Sequence, residues 1–192
     1  MTIQPLKLKL SKKEFTDYVQ KVDYKQWKPI GCVMHNTYRP DLAMVDDYVA
    51  GKNLNGKNDG LKTWPMPQLI DNWWQNYIRM KWNAGPHLFI YRDGIYVATP
   101  LDHRGTHSPS YNGAYYGVEL IGDYERETLP DDIKYNTIHA LKVLFQHLKM
   151  TPTELTLKFH REDPKTTHKC PGKNFPDKQQ WLNWIKEYNI YA

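Results

Sequence analysis

The sequence predicts a single α/β domain in which helices flank one central mixed β-sheet. Short apolar runs of strand length alternate along the chain with longer runs whose apolar residues recur every three or four positions, as on one face of a helix. The chain has 192 residues. That length is enough for one well-buried core and short for two, so we expect one domain.

The first element is a helix over about residues 12–21. Ser11 and Glu14 have the spacing of a capping box at its start. An apolar set then follows at helical intervals: Phe15, Tyr18 and Val19. We assign residues 1–29 to an N-terminal helical extension, which precedes the main domain.

The predicted strands are short runs rich in apolar and β-branched residues. They are IGCVMH (30–35), the two halves of HLFIYRDGIYVA (87–98), YGVELIG (116–122) and LTLKF (155–159). Asp93-Gly94 divides the second run and is the strongest hairpin signal in the chain. Three polar residues accompany these strands: His35 ends the first, Glu119 interrupts an apolar run, and His160 follows the last.

Three later stretches predict helices. They are QLIDNWWQNYIRMKW, with Leu69, Trp73, Tyr77 and Met80 on its apolar face, DDIKYNTIHALKVLFQHLKM, and a closing helix around Trp181 to Ile185. Residues 51–63 hold three Gly and three Asn and are predicted to be loop. A solvated connection is the simpler interpretation of this loop, and a lid over a substrate is the alternative.

The composition narrows the possible partners. A formal net charge of +5 favours a polyanionic partner, such as nucleic acid, phospholipid headgroups or an anionic cell-wall polymer. The basic residues form no run of five like charges, which argues against a nucleic-acid-binding arm. The 14 Tyr and 7 Trp side chains either fill the core or stack on sugars and peptides.

The sequence also indicates a compartment. The start, MTIQPLKLKL, has Lys where a secretory signal needs an unbroken apolar segment, and no apolar run is long enough to span a membrane. We therefore expect synthesis in the cytoplasm without a signal peptide. The only two cysteines fit a reducing compartment, and a Cys32–Cys170 disulfide is the alternative.

The segment LKFHREDPKTTHKCPGKNF, residues 157–175, concentrates metal-ligand residue types. Neighbouring strands lie about 5 Å apart, so His35 and His160 at two strand ends can share a metal ion with Cys170. Two alternatives remain open: Cys170 is a nucleophile with a histidine base, or the histidines are ordinary hydrogen-bonded side chains. Pro171 counts against the nucleophile, because a helix that lowers the thiol pKa would have to begin across it.

Four segments resemble the type 2 family of N-acetylmuramoyl-L-alanine amidases in order and approximate spacing. They are CVMHNT, GPHLFIYRDGIYV, GTHSPSYNGAYYGVELIGDY and FHREDPKTTHKCPGKNF. The family includes bacteriophage amidase endolysins and bacterial cell-wall recycling amidases, and it is related to the peptidoglycan recognition proteins. The resemblance extends from about residue 30 to 185 and implies a zinc amidase catalytic domain over residues 30–192.

The resemblance implies a zinc ion bound by His35, His160 and Cys170. Glu119 matches the catalytic Glu of the recycling amidases, and a buried acid is costly unless it is paired or takes part in chemistry. His168 stands where family members commonly carry a Lys that stabilises the oxyanion. A fourth zinc ligand, which would close the site, is the alternative role for His168.

Further positions carry implied roles in substrate binding. His87 and His107 match family positions that line the cleft, and Asn112 matches one that contacts the substrate peptide. Hydrogen bonding within a turn is the alternative role for Asn112. Pro86 stands where many endolysins have a Tyr, so that role is vacant.

The implied activity is zinc-dependent hydrolysis of the amide bond between N-acetylmuramic acid and L-alanine. The partner is then bacterial peptidoglycan, both glycan strand and stem peptide, with no nucleic acid, no stable membrane insertion and a monomeric enzyme. A phage-type endolysin released through a holin-type pore fits best, with an exported effector or a recycling amidase as alternatives. A non-catalytic peptidoglycan-binding module is the second hypothesis, and a cysteine hydrolase is the third.

Overall fold

The structure is a computed structural model that describes residues 2–52 and 65–190. In these ranges six strands form one mixed sheet in the order β1-β4-β3-β5-β2-β6. Their bounds are β1 Leu8–Leu10, β2 Cys32–Asn36, β3 Leu88–Tyr91, β4 Gly94–Val97, β5 Tyr116–Leu120 and β6 Leu157–Phe159. β4 pairs antiparallel with β1 and β3, whereas β3, β5, β2 and β6 run parallel to one another.

Five α-helices surround the sheet in the described ranges. They are α1 Lys12–Val19, α2 Leu42–Val49, α3 Met66–Arg79, α4 Asp131–His147 and α5 Lys178–Glu187. The side chains of Ser11, Asp41 and Asp177 cap α1, α2 and α5 by accepting a backbone N–H of the first turn. No helix in this part of the chain is long and apolar enough to cross a membrane.

One face of the sheet carries the chemistry-bearing side chains. His35 of β2 and Phe89 of β3 are both paired in register with Glu119 of β5, so all three project from the same face. Trp73 of α3 stacks on Phe89 with 4.9 Å between ring centroids. Helix α3 therefore covers this face and leaves His35 and Glu119 beside it.

The other face is covered by three helices. Met34 pairs with Phe159, and both project away from the His35 face. Phe159 packs against Phe175, which stacks on Trp181 of α5. Since α4 contacts both α1 and α5, these helices form the second layer over this face. The result is helices on both sides of a central mixed sheet, as predicted.

The predicted strands and the helices α1, α3, α4 and α5 are confirmed, with bounds shifted by a few residues. Among the described residues, one strand and one α-helix were not predicted, β1 and α2, and neither was the short 3-10 helix His160–Glu162 that follows β6. The segment assigned as a helical extension contains α1 but also β1, which pairs with β4 and joins the sheet. Met80 was wrongly placed on the apolar face of α3, because the helix ends at Arg79 and Met80 is 52% exposed. The predicted loop at 51–63 lies, after its first two residues, outside the described residues.

Candidate metal centre and active site

The site lies where the parallel strands end. The carboxyl ends of neighbouring parallel strands meet at one edge of a sheet, which is where α/β proteins bind ligands. His35 is near the end of β2, Glu119 is near the end of β5, and His160 directly follows β6. These three residues line a cleft of about 550 Å³.

His35, His160 and Cys170 form a candidate metal-binding group. Their ligand atoms all lie within 4.8 Å of one another. The Nε2 atom of His160 is buried and has no hydrogen-bond partner, which is costly unless a ligand satisfies it. Within residues 2–52 and 65–190, no other group of three His, Cys, Asp or Glu side chains comes together in this way.

The protonation states suit metal binding. Burial lowers the pKa of His35 well below its usual value and lowers the pKa of His160 to about 4. Both imidazoles are therefore neutral at pH 7 and keep a lone pair for a metal ion. The Sγ atom of Cys170 accepts a hydrogen bond from the Asn36 N–H at 3.2 Å.

Burial of the Cys170 thiol argues against Cys170 as a nucleophile. It raises the pKa of the Cys170 thiol, whereas a reactive cysteine needs a lowered pKa. No helix begins directly behind Cys170, since α5 starts only at Lys178. A coordinating thiol, by contrast, is deprotonated by the metal ion itself.

Glu119 is the carboxyl group beside this cluster. Its Oε1 lies 3.9 Å from Nδ1 of His35, and its side chain is 14% exposed. Burial raises the pKa of Glu119 from 4.5 to about 8. A carboxyl group with a pKa close to neutral pH can both take up and release a proton during a reaction.

His168 lies at the mouth of the cleft. It is exposed and lines the cleft, and its ring centroid is 5.0 Å from that of His160. It is not part of the close group of metal-ligand atoms found in the described residues. A group of three candidate ligands would leave one position of a four-coordinate metal ion open, as in catalytic rather than structural metal sites.

Two predicted substrate-binding residues lie elsewhere. His87 does not line the cleft: it is fully buried, donates from Nε2 to the His103 carbonyl and accepts the Gly117 N–H at Nδ1. The prediction for His87 is therefore corrected, because a histidine at the start of a strand can point into the core. Asn112 also lies outside the cleft lining, and its Oδ1 accepts the N–H groups of His107 and Ser108 at 2.7 Å each. This is the turn role that was its alternative.

His107 lines the cleft, and it also contacts a candidate metal ligand. Its Nδ1 lies 3.1 Å from Nε2 of His35, and its Nε2 lies 3.1 Å from the Tyr115 carbonyl oxygen. Burial lowers the pKa of His107 to about 4.

Several cleft residues were missed. Two stacked aromatic rings, Tyr77 and Trp82, form one wall with centroids 5.0 Å apart. The sequence assigned Tyr77 to the apolar face of a helix, and nothing in the pattern distinguishes a cleft wall from a core. Charged residues from two loops also line the cleft: Asp123, Glu125, Arg126 and Lys169. Their convergence depends on the tertiary structure.

The fold and the site together describe an α/β domain with a candidate group of three metal ligands beside a carboxyl group, an arrangement that is also found in metal-dependent hydrolases. Residues 26–173 match the N-acetylmuramoyl-L-alanine amidase family. Because the match includes most of the chain, the protein belongs to this family. No curated protein sequence matches the chain.

Solved structures share the fold. The endolysin N-acetylmuramoyl-L-alanine amidase LysCS from Clostridium intestinale URNW is 22% identical, with a TM-score of 0.61 over 86% of this chain and 93% of that chain. Wild-type Drosophila PGRP-LB is 20% identical, with a TM-score of 0.55 over 90% and 88%. Peptidoglycan recognition protein LE in complex with tracheal cytotoxin is 17% identical, with a TM-score of 0.61 over 100% and 93%.

Proposed function

We propose that the protein is a zinc-dependent amidase that cleaves the bond between N-acetylmuramic acid and L-alanine in bacterial peptidoglycan. The observation that carries the proposal is the buried, unpartnered Nε2 atom of His160, which shares a site with His35 and Cys170 beside Glu119. Family membership supports the reaction class. The catalytic domain is proposed to span residues 30–192.

The donor set fits zinc. Two neutral imidazoles and one thiolate are ligands that Zn²⁺ prefers, and they leave the site with a net positive charge. When bound, zinc would polarise the scissile carbonyl group and make a water molecule more acidic. His35, His160 and Cys170 would hold the ion.

Glu119 is proposed as the general base and acid. It takes the proton of the water that attacks the lactyl carbonyl carbon, and it then passes this proton to the departing amino group of L-alanine. Its pKa of about 8 in the metal-free protein falls when positive charge is held beside it, so the carboxylate forms at neutral pH.

His168 is proposed to donate a hydrogen bond to the oxyanion that forms on the attacked carbonyl oxygen. Its exposed position at the cleft mouth leaves it free to meet a substrate. The aromatic wall of Tyr77 and Trp82 suits the apolar faces of sugar rings and the stem peptide.

A peptidoglycan-binding module without activity is the second candidate. The fold likeness to a recognition protein in complex with a peptidoglycan fragment favours it. The three ligands and Glu119 support catalysis instead, since binding alone needs neither a metal site nor a carboxyl group beside it. If the wild-type protein binds the wall but does not cleave it, the binding module is favoured.

The proposal is tested by removing and restoring zinc. Protein stripped with a chelator should release no amino groups from purified sacculi, and one equivalent of zinc should restore release. Cys170→Ala should lose both zinc and activity, while Cys32→Ala is the matched control because Cys32 is buried in β2 away from the cleft lining. Equal activity of stripped and reloaded protein would reject zinc dependence.

We further propose that the enzyme is monomeric and bacteriolytic, acting as a phage-type endolysin that reaches the wall through a holin-type pore. The net charge of +5 is proposed to add affinity for the anionic wall. Cells expressing the protein should lyse only when the membrane is permeabilised. Activity on soluble muropeptides but not on intact wall would indicate a recycling amidase instead.

A further inference from the structure

A chain of two hydrogen bonds connects the backbone to a candidate metal ligand. The Tyr115 carbonyl oxygen lies 3.1 Å from Nε2 of His107, and Nδ1 of His107 lies 3.1 Å from Nε2 of His35. Both histidines are buried, at 5% and 2% exposure. In this chain, the donor or acceptor role of each group determines the role of the next group.

The direction of the chain follows from the carbonyl group. A carbonyl oxygen only accepts hydrogen bonds, so Nε2 of His107 carries the proton. A neutral imidazole has one N–H, which leaves Nδ1 of His107 as an acceptor. Nε2 of His35 must then be the donor. The proton of His35 is therefore on Nε2, and its Nδ1, the atom 3.9 Å from Glu119, keeps the free lone pair.

We propose that His107 is a positioning residue that, anchored on the Tyr115 carbonyl, holds His35 in the tautomer whose Nδ1 is free to bind the metal ion. The metal part of this inference rests on the proposed zinc site. The tautomer itself is a property of the metal-free protein. The Tyr115 carbonyl thus orients a ligand that it does not touch, in the manner of outer-sphere partners of metal-bound histidines.

The surroundings of His107 hold its ring in place. Gly117 provides the space, since a Cβ atom there would lie 2.5 Å from Cγ of His107. The Asn112 side chain accepts the His107 N–H at 2.7 Å, which fixes the backbone. The next residue, Ser108, donates from Oγ to buried Asp163 at 2.5 Å, which ties this loop to the segment that begins at His160.

The first test reads the tautomer directly. Long-range ¹H–¹⁵N spectra of the metal-free protein at pH 7, assigned with single-histidine variants, distinguish protons on Nδ1 from protons on Nε2. We expect both His35 and His107 to carry the proton on Nε2. A proton on Nδ1 of His35 would overturn the inference, even if the enzyme binds zinc and cleaves peptidoglycan.

The second test uses two variants. In His107→Gln the side-chain oxygen can still accept from His35 while its NH₂ donates to Tyr115, whereas His107→Leu can do neither. We expect zinc affinity, measured against a chromogenic chelator, to fall by about 10–100-fold in the Leu variant and to recover in the Gln variant. Unchanged affinity and an unchanged His35 tautomer in a folded Leu variant would contradict the inference.

The two proposals fail in different ways. If the wild-type protein does not bind zinc but His35 carries its proton on Nε2, the proposed function fails and the tautomer assignment stands. If His107→Leu does not fold, the wild-type spectrum and the zinc affinity of His107→Gln still test the role of His107. The positioning role of His107 is rejected if His107→Gln loses most of its zinc affinity and His35 carries its proton on Nδ1 in the wild-type protein.

Discussion

Replacing Glu119 by Gln is expected to stabilise the metal-free protein at neutral pH while it removes activity. Burial raises the pKa of Glu119 from 4.5 to about 8. Between these values the folded protein holds a proton that the unfolded chain has released, so the folded state loses stability as the pH rises. The Gln side chain does not titrate, so the stability of the variant does not fall with pH in this way.

The magnitude follows from the linkage relation. Each pH unit between the two pKa values costs about 1.4 kcal/mol, so at pH 7 the wild-type carboxyl group costs roughly 3 kcal/mol. Below pH 4.5 the carboxyl group is protonated in both states and the cost vanishes. The stability gap between Glu119→Gln and the wild type is thus expected to open from near zero at pH 4.5 to roughly 3 kcal/mol at pH 7.

Urea denaturation of both metal-free proteins across this pH range measures the gap. Glu154→Gln is the matched control, because Glu154 is exposed and does not line the cleft, and its gap should stay near zero at all pH values. Turnover of Glu119→Gln should fall by about 10²–10⁴-fold, with one zinc still bound. If the free energies of unfolding of Glu119→Gln and the wild type change with pH in parallel, the assignment of a raised pKa is refuted. Retained turnover would remove Glu119 from the mechanism.

Three further results are expected. Gly172→Ala should destabilise the loop that carries Cys170, because Gly172 has φ +112° and a new Cβ would lie 2.3 Å from the Tyr124 carbonyl carbon. Zinc binding, measured by chelator competition, should therefore weaken. A zinc affinity equal to that of the wild type would contradict this. Ser108→Ala should cost about 1–3 kcal/mol in urea denaturation, since it removes a donor to the buried carboxylate of Asp163; an unchanged midpoint would contradict it. Co-sedimentation with sacculi should weaken as salt rises, because the net charge of +5 is screened; salt-independent binding would exclude an electrostatic contribution.

Most of the fold was predictable because its periodicities are local. The hairpin at Asp93-Gly94 and the buried strand that ends near His35 follow from turn chemistry and apolar runs. Strand β1 was not predicted, since its three residues gain partners only once β4 is in place beside them. The end of α3 was misjudged because Met80 continues the apolar spacing past the last helical residue.

The site was predictable to the extent that it follows the strands. His35, His160 and Cys170 come together because the ends of parallel strands converge at one sheet edge. The orientation of His87 was not predictable, because its ring turns into the core to meet a carbonyl group and an N–H. The contact of His107 with His35 joins residues 72 positions apart and has no sequence pattern.

The most direct test of the central claim is mass spectrometry of purified peptidoglycan sacculi after incubation with the protein, with and without a chelator. We expect free stem peptides with an L-alanine N-terminus to appear only in the sample without chelator. An untouched wall that still co-sediments with the protein would contradict the zinc amidase assignment and favour a binding module.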